Sequence, residues 1–204
     1  MLARALNLLY VDTGSMYRAV ALAVLETQTD PANAEAVTAL ANRIDIDLAG
    51  DPDSLTVLLD GRDVSEEIRT DRVTEMSSIV SSIPGVRRAM VDRQRIFGKR
   101  GAVLNGRDIG TVVFPDADVK FFLTANPKER AERRYKEDQM TSASDATFSE
   151  TLADMIERDR RDSTRADSPL KAADDAIVVD STGKNIEEVF QLMLERVISH
   201  GLHR

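Results

Sequence analysis

The 204-residue sequence contains no cysteine, which excludes disulfide frameworks, thiolate nucleophiles and cysteine-ligated metals. Tryptophan is also missing, and the only histidines, His200 and His203, lie among the last five residues, which argues against a Ser-His nucleophile or a histidine-built metal centre. No stretch reaches the roughly 18 consecutive apolar residues of a membrane span, so a soluble, cytoplasmic protein is the expectation. An excess of positive charge is lacking too. With 27 basic against 35 acidic residues the net charge is -8, a field that repels polyanions and argues against a general nucleic-acid or membrane-surface binder. Any anion site must be a local cluster of basic groups.

What the chain does hold is centred on residues 101 to 123. Two short apolar runs, 102 to 104 and 119 to 123, read as buried strands, and the polar loop between them sets Arg107 beside Asp108 with Gly106 and Gly110 on either side. Ligands of open α/β sheets sit just past the carboxyl ends of the strands, which makes both residues site candidates. Taken alone, the pair is equally a loop ion pair that only ties a turn.

Residues 1 to 7 carry Leu2, Ala5 and Leu6 at helical spacing, and a strand over 8 to 11 leads into Asp12-Thr13-Gly14-Ser15-Met16-Tyr17-Arg18 and a helix from about 16 to 25. Asp-Thr-Gly-Ser also marks aspartic proteases, but those need two facing carboxylates that share a proton, and here one copy runs straight into a helix. Asp12 or Thr13 capping that helix is compatible with a site role, and Tyr17 and Arg18 in its first turn can reach over the strand end. Asp30-Pro31 predicts the start of a second helix. The alternation over 44 to 48, a turn at 50 to 53 and the run 55 to 59 before Asp60-Gly61 predict a hairpin-like insert with a third strand at Asp63-Val64. Helices follow over 70 to 83 and from Pro84, and near their junction Ser78 and Arg87 read, by pattern alone, as ordinary surface polar residues.

Asn126-Pro127 caps a helix bearing Arg130, Arg133 and Arg134, whose spacing puts the guanidinium groups on adjoining faces. Residues 141 to 147 lack periodicity and read as a mobile loop, and a capping box from Thr147 to Glu150 opens the next helix. Taken as helical, Arg158, Asp162 and Arg165 fall at i, i+4 and i+7 on one face. A mixed-charge run is ordinarily a solvated helix, yet two arginine clusters bracketing a loop are also how a lid that closes over phosphates is written. A strand over 176 to 179 and a helix capped by Asn185, with Val189, Phe190, Met193, Leu194 and Val197 inward, complete a length that fits one domain.

Three segments, residues 9 to 22 (Leu-Tyr-Val-Asp-Thr-Gly-Ser-Met-Tyr-Arg-Ala-Val-Ala-Leu), 105 to 117 (Asn-Gly-Arg-Asp-Ile-Gly-Thr-Val-Val-Phe-Pro-Asp-Ala) and 157 to 165 (Glu-Arg-Asp-Arg-Arg-Asp-Ser-Thr-Arg), resemble bacterial cytidylate kinases in order and spacing. The resemblance extends over essentially the whole chain and includes the β-rich insert near 44 to 65. It implies a single domain over 1 to 204 with the α/β fold of a P-loop nucleoside monophosphate kinase, a parallel sheet flanked by helices. A monophosphate-binding region would cover about 30 to 98 and a helical lid about 128 to 165. It also implies transfer of the ATP γ-phosphoryl to CMP or dCMP with Mg²⁺ accompanying ATP, in a cytoplasmic monomer that binds neither nucleic acid nor membrane. By the same resemblance Arg18, Arg107 and Tyr17 surround the monophosphate, Ser78, Arg87 and Asp108 meet the cytosine, and Arg158, Asp162 and Arg165 contact ribose and base. Thr13 stands near the acceptor nucleotide, and Arg130, Arg133 and Arg134 would steady the transferring phosphoryl group.

One family feature is missing. No Gly-x-x-x-x-Gly-Lys-[Ser/Thr] loop, which would hold the ATP phosphates, occurs anywhere in the sequence; Gly98-Lys99-Arg100 and Gly183-Lys184-Asn185 lack both the preceding glycine and the following hydroxyl. The expectation is therefore that the first strand and phosphate loop are absent because the chain begins at an internal methionine of a longer kinase, leaving a gap in the sheet and impaired activity. Two other classes stay open: a fragment that binds CMP without phosphoryl transfer, and an acidic helical interaction protein that uses no nucleotide.

Overall fold

The computed structural model describes residues 1 to 50, 55 to 99, 101 to 141, 146 to 165 and 167 to 201, without the side chain of Thr141. The expected turn at 51 to 53 and the loop residues 142 to 145 lie outside them. The chain divides into two compact units, one of residues 3 to 106 and one of residues 107 to 204 with residues 1 and 2. Among the described residues each is an α/β assembly with one parallel strand pair.

In the first unit, β1 (Leu9–Asp12) runs parallel to β5 (Ala102–Asn105), pairing Leu9 with Ala102 and Asp12 with Asn105. Asp12 ends β1 and caps α2 (Thr13–Glu26), its carboxylate accepting from the Gly14 amide at 3.1 Å. Helix α2 is apolar on nearly every side and is buried accordingly, from Met16 through Val24 apart from the half-buried Arg18. It is the axis of a core shared with Val37 and Leu40 of α3 (Ala34–Arg43), Val73 and Val80 of α4 (Asp71–Val80) and Val86 and Met90 of α5 (Pro84–Gly98).

The insert is a three-stranded antiparallel sheet, β2 (Ile46–Ala49), β3 (Thr56–Leu59) and β4 (Arg62–Asp63), in the order β2-β3-β4. Alternation puts Ile46, Leu48, Val57 and Leu59 into the core. Asp60 and Gly61 both have positive φ, 50° and 80°, the backbone a two-residue hairpin turn demands. The second helix starts later than Asp30-Pro31 predicts. Asp30 spends its carboxylate on the Ala32 amide at 2.9 Å and its carbonyl on Asn33, closing a separate turn, and Asn33 becomes the cap by accepting from Ala36 at 3.0 Å. Pro84 opens α5 as expected.

Helices α3 and α5 cross where Gly85 has no side chain; a Cβ there would lie 2.3 Å from Thr38 Oγ1 and 2.5 Å from its Cγ2. Gly85→Ala is expected to destabilise the first unit by about 1–3 kcal/mol through overpacking. Thermal melts should show much of that loss recovered in Gly85→Ala combined with Thr38→Ala.

In the second unit, β6 (Phe121–Thr124) and β7 (Ile177–Asp180) form the other parallel pair. Helices α6 (Pro127–Thr141) and α7 (Phe148–Thr164) pack together, with the Tyr135 and Phe148 rings edge to face at 6.1 Å. Both predicted capping boxes form: Thr147 with Glu150 at α7, and Asn185 with Glu188 at α8 (Ile186–Ser199). Lys120, buried ahead of β6, is held by both Asp175 carboxylate oxygens at 2.8 and 2.7 Å, and that hydrogen bonding keeps the Asp175 carboxyl below its usual range. The Arg158-to-Arg165 run is helical only to Thr164. Arg165 is the cap residue, with extended backbone (ψ 143°), so the single helical face expected for Arg158, Asp162 and Arg165 is broken at its last member.

Candidate active site

In the first unit, candidate residues gather at the carboxyl end of β1. Thr13 is buried and donates through Oγ1 to the Asn105 carbonyl at 2.8 Å, tying the ends of the two parallel strands. Asp12 does more than cap: Oδ2 accepts from Ser15 Oγ at 2.6 Å and from Arg18 Nη2 at 3.2 Å, and the same Nη2 lies 3.2 Å from Ser15 Oγ. Arg18 is thus fixed at one corner of its guanidinium, while its Nε is buried with no hydrogen-bond partner among the described residues. Burial, with the Asp12 charge next, pushes the Tyr10 phenol above its ordinary value. Arg87 corrects the expectation of a surface residue: it is only 3% exposed, donates to the Ser81 carbonyl at 3.2 Å, and lies 5.7 Å from the centre of the Tyr17 ring. Ser78, half-buried one turn past Thr74, makes a long 3.5 Å contact to the Thr74 carbonyl.

In the second unit, Arg107 opens the segment that follows β5. Its Nε lies 2.8 Å from Asp162 Oδ2 and one Nη lies 3.6 Å from Asp159 Oδ1. Asp159 takes Arg130 with both oxygens, at 2.6 and 3.3 Å, and Asp162 takes Arg165 at 3.2 Å. Three arginines and two carboxylates therefore alternate along one chain of ion pairs that joins the β5-β6 connection, α6 and the end of α7. Arg165 is further fixed by donating to the Ser168 carbonyl at 2.6 Å. Asp108 is buried; its backbone carbonyl accepts from the amides of Thr111, Val112 and Val113, and Phe114 closes a wide five-residue turn onto Ile109 at 2.7 Å. At Gly110 a Cβ would stand 3.1 Å from the Lys120 side chain, so the turn packs closely on that buried lysine.

The other expected site residues are engaged elsewhere. Arg133 points to the loop after β7, donating to the Ser181 carbonyl at 2.7 Å and the Lys184 carbonyl at 3.2 Å, and pairs with Glu129. Arg134 pairs along its own helix with Asp138 at 3.0 Å. Arg158 is exposed on α7. Asp159 is not among the residues the sequence points to, although it carries a signal: it lies three residues before Asp162, hence on the same helical face. Among the described residues no helix is long and apolar enough to cross a membrane.

Comparison with known proteins gives this geometry its context. The cytidylate kinase family model matches residues 1–199. Similar proteins include the cytidylate kinase of Geobacter sp. (strain M21), 45% identical over 99% of this chain and 86% of its own length. That of Shewanella denitrificans is 44% identical over 97% and 88%, and that of Desulforamulus reducens is 50% identical over 92% and 84%. A match spanning nearly the whole chain, joined to the α/β architecture and the arginine-rich polar ends of its strands and helices, places this protein in the cytidylate kinase family.

Proposed function

We propose that this chain belongs to an enzyme that passes the γ-phosphoryl of ATP to CMP or dCMP, in the cytoplasm and as a monomer, with residues about 30 to 98 serving the acceptor nucleotide and about 128 to 165 forming the lid. The observation that carries this reading is the Arg107 cluster. Asp162 lies 2.8 Å from Nε of Arg107, and among the described residues the amino edge meets only the 3.6 Å contact to Asp159, an arrangement that suits a bidentate phosphate.

Phosphoryl transfer asks the protein for positioning and positive charge more than for covalent chemistry. Arg107 and Arg18 would hold the acceptor phosphate with Tyr17 and Thr13 beside it, while Arg130, and with it Arg133 and Arg134, would offset charge on the transferring group. Asp108, buried and unable to donate when ionised, would accept from the cytosine N4 amino group while Ser78 and Arg87 donate to the ring acceptors. Arg158, Asp162 and Arg165 would close on the ribose and base.

Among the described residues no three His, Cys, Asp or Glu side chains converge as a metal cage. Mg²⁺ keeps several waters and takes phosphate oxygens, so it fits as the companion of ATP. Bound there, it would draw charge from the β- and γ-phosphates.

Because the 204 residues contain no Gly-x-x-x-x-Gly-Lys-[Ser/Thr] loop, a second reading has support: a polypeptide that binds CMP without efficient transfer. Calorimetry with CMP, dCMP and UMP, run beside a coupled kinase assay, separates the two. Asp108→Ala is expected to narrow the preference for CMP over UMP by about tenfold, the worth of one good base contact. Equal losses for the two bases would refute the assignment of Asp108 to the cytosine.

A further inference from the structure

The carboxylates of the arginine chain are not equivalent. Asp162 is 14% exposed at its side chain, bonds Arg165 at 3.2 Å, and its backbone carbonyl accepts from Leu170 at 2.8 Å; its Oδ2 lies 2.8 Å from Arg107 Nε as a close ion contact, buried and without a hydrogen-bond partner among the described residues. Asp159 is twice as exposed, grips Arg130 with both oxygens, and reaches Arg107 only at 3.6 Å, beyond hydrogen-bond length. The longest link of the chain, and the more exposed of the two at Arg107, is the one on its amino edge.

We propose that Asp159 is the exchangeable counter-ion of the Arg107 phosphate site, the carboxylate that an incoming phosphate monoester displaces from Arg107. This rests on the reading that Arg107 binds the acceptor phosphate. A carboxylate and a phosphate cannot both occupy the same guanidinium edge, and like charges brought together oppose binding. Asp162 keeps its charge 2.8 Å from Nε of Arg107 during the exchange, and Asp159 retains Arg130 on its two oxygens. Asp159 therefore acts as a positioning residue that lowers anion affinity while anchoring an α6 arginine to α7.

The sign of this effect separates it from a structural tie. Removing a purely structural ion pair loosens the site and weakens every ligand, whereas removing a competing charge tightens anions alone. Calorimetry on the 204-residue chain with CMP, cytidine and inorganic phosphate tests it. In Asp159→Asn, CMP and phosphate are expected to bind about fivefold tighter and cytidine equally well, with the gain shrinking at high salt. Asp159→Ser repeats the comparison without an amide that can bond Arg130, and in an Arg107→Ala background the gain should vanish. Unchanged or weaker CMP binding in both Asp159 variants, with melting temperatures near the parent's, overturns the proposal while leaving the phosphate site intact. A parent chain that binds CMP no better than cytidine overturns both.

Discussion

Kinase turnover by the 204-residue chain is expected to lie at least about a thousandfold below that of a version in which it follows a strand and a Gly-x-x-x-x-Gly-Lys-[Ser/Thr] loop. Losing one preorganised donor to developing charge costs roughly 10²–10³ in rate, and such a loop supplies several backbone amides and a lysine at once. Stability should move in the same direction. Among the described residues each parallel sheet, β1 with β5 and β6 with β7, has two strands, whereas independent stability usually needs three or more or good cover. Parallel strands are ordinarily buried on both faces, yet Leu123 and Val178 are 52% and 61% exposed. A coupled assay and a thermal melt on the two proteins check this together. Equal turnover would show that the ATP phosphates are held by groups other than such a loop, and an unchanged melting temperature would show that neither strand pair gains a neighbour.

Much of this molecule can be read from local sequence, for identifiable reasons. Capping boxes at Thr147 and Asn185, Pro84 at a helix start and the Asp60-Gly61 turn are contacts within a few residues, so the sequence contains both partners. The displaced start of α3 is a competition between two nearby caps, Asp30 and Asn33, that differ only in which amide each carboxylate or amide oxygen reaches. Arg87 shows the limit. Its burial comes from Tyr17, seventy residues earlier, and no periodicity within α5 carries that information. The arginine chain is intermediate: Asp159 and Asp162 share a helical face visible in the sequence, but their bonds to Arg107 and Arg130 span distances in sequence that only the fold closes.

Arg107→Ala is expected to weaken CMP binding by about 10²–10³-fold while leaving cytidine binding within about threefold of the parent. A hydrogen bond to a charged group contributes about 1.5–3 kcal/mol, and a guanidinium edge makes two to a phosphate, so with both near the low end of that range the pair accounts for roughly 3–4 kcal/mol. Arg107→Lys keeps the charge but loses the fork and the Nε contact to Asp162, and should fall between the two. Folding should survive the alanine change, because Asp162 retains Arg165 and Asp159 retains Arg130, leaving neither carboxylate without a cation. The 2.8 Å pair to Asp162 and the 3.6 Å contact to Asp159 are lost, and at a half-buried position their contribution to stability is modest. Affinity and stability are thereby separable: a large loss for CMP with a nearly constant melting temperature identifies Arg107 as a ligand to the phosphate. A matching loss for cytidine would instead mean that Arg107 shapes the pocket around the base, and binding of CMP within threefold of the parent would place the phosphate on other arginines.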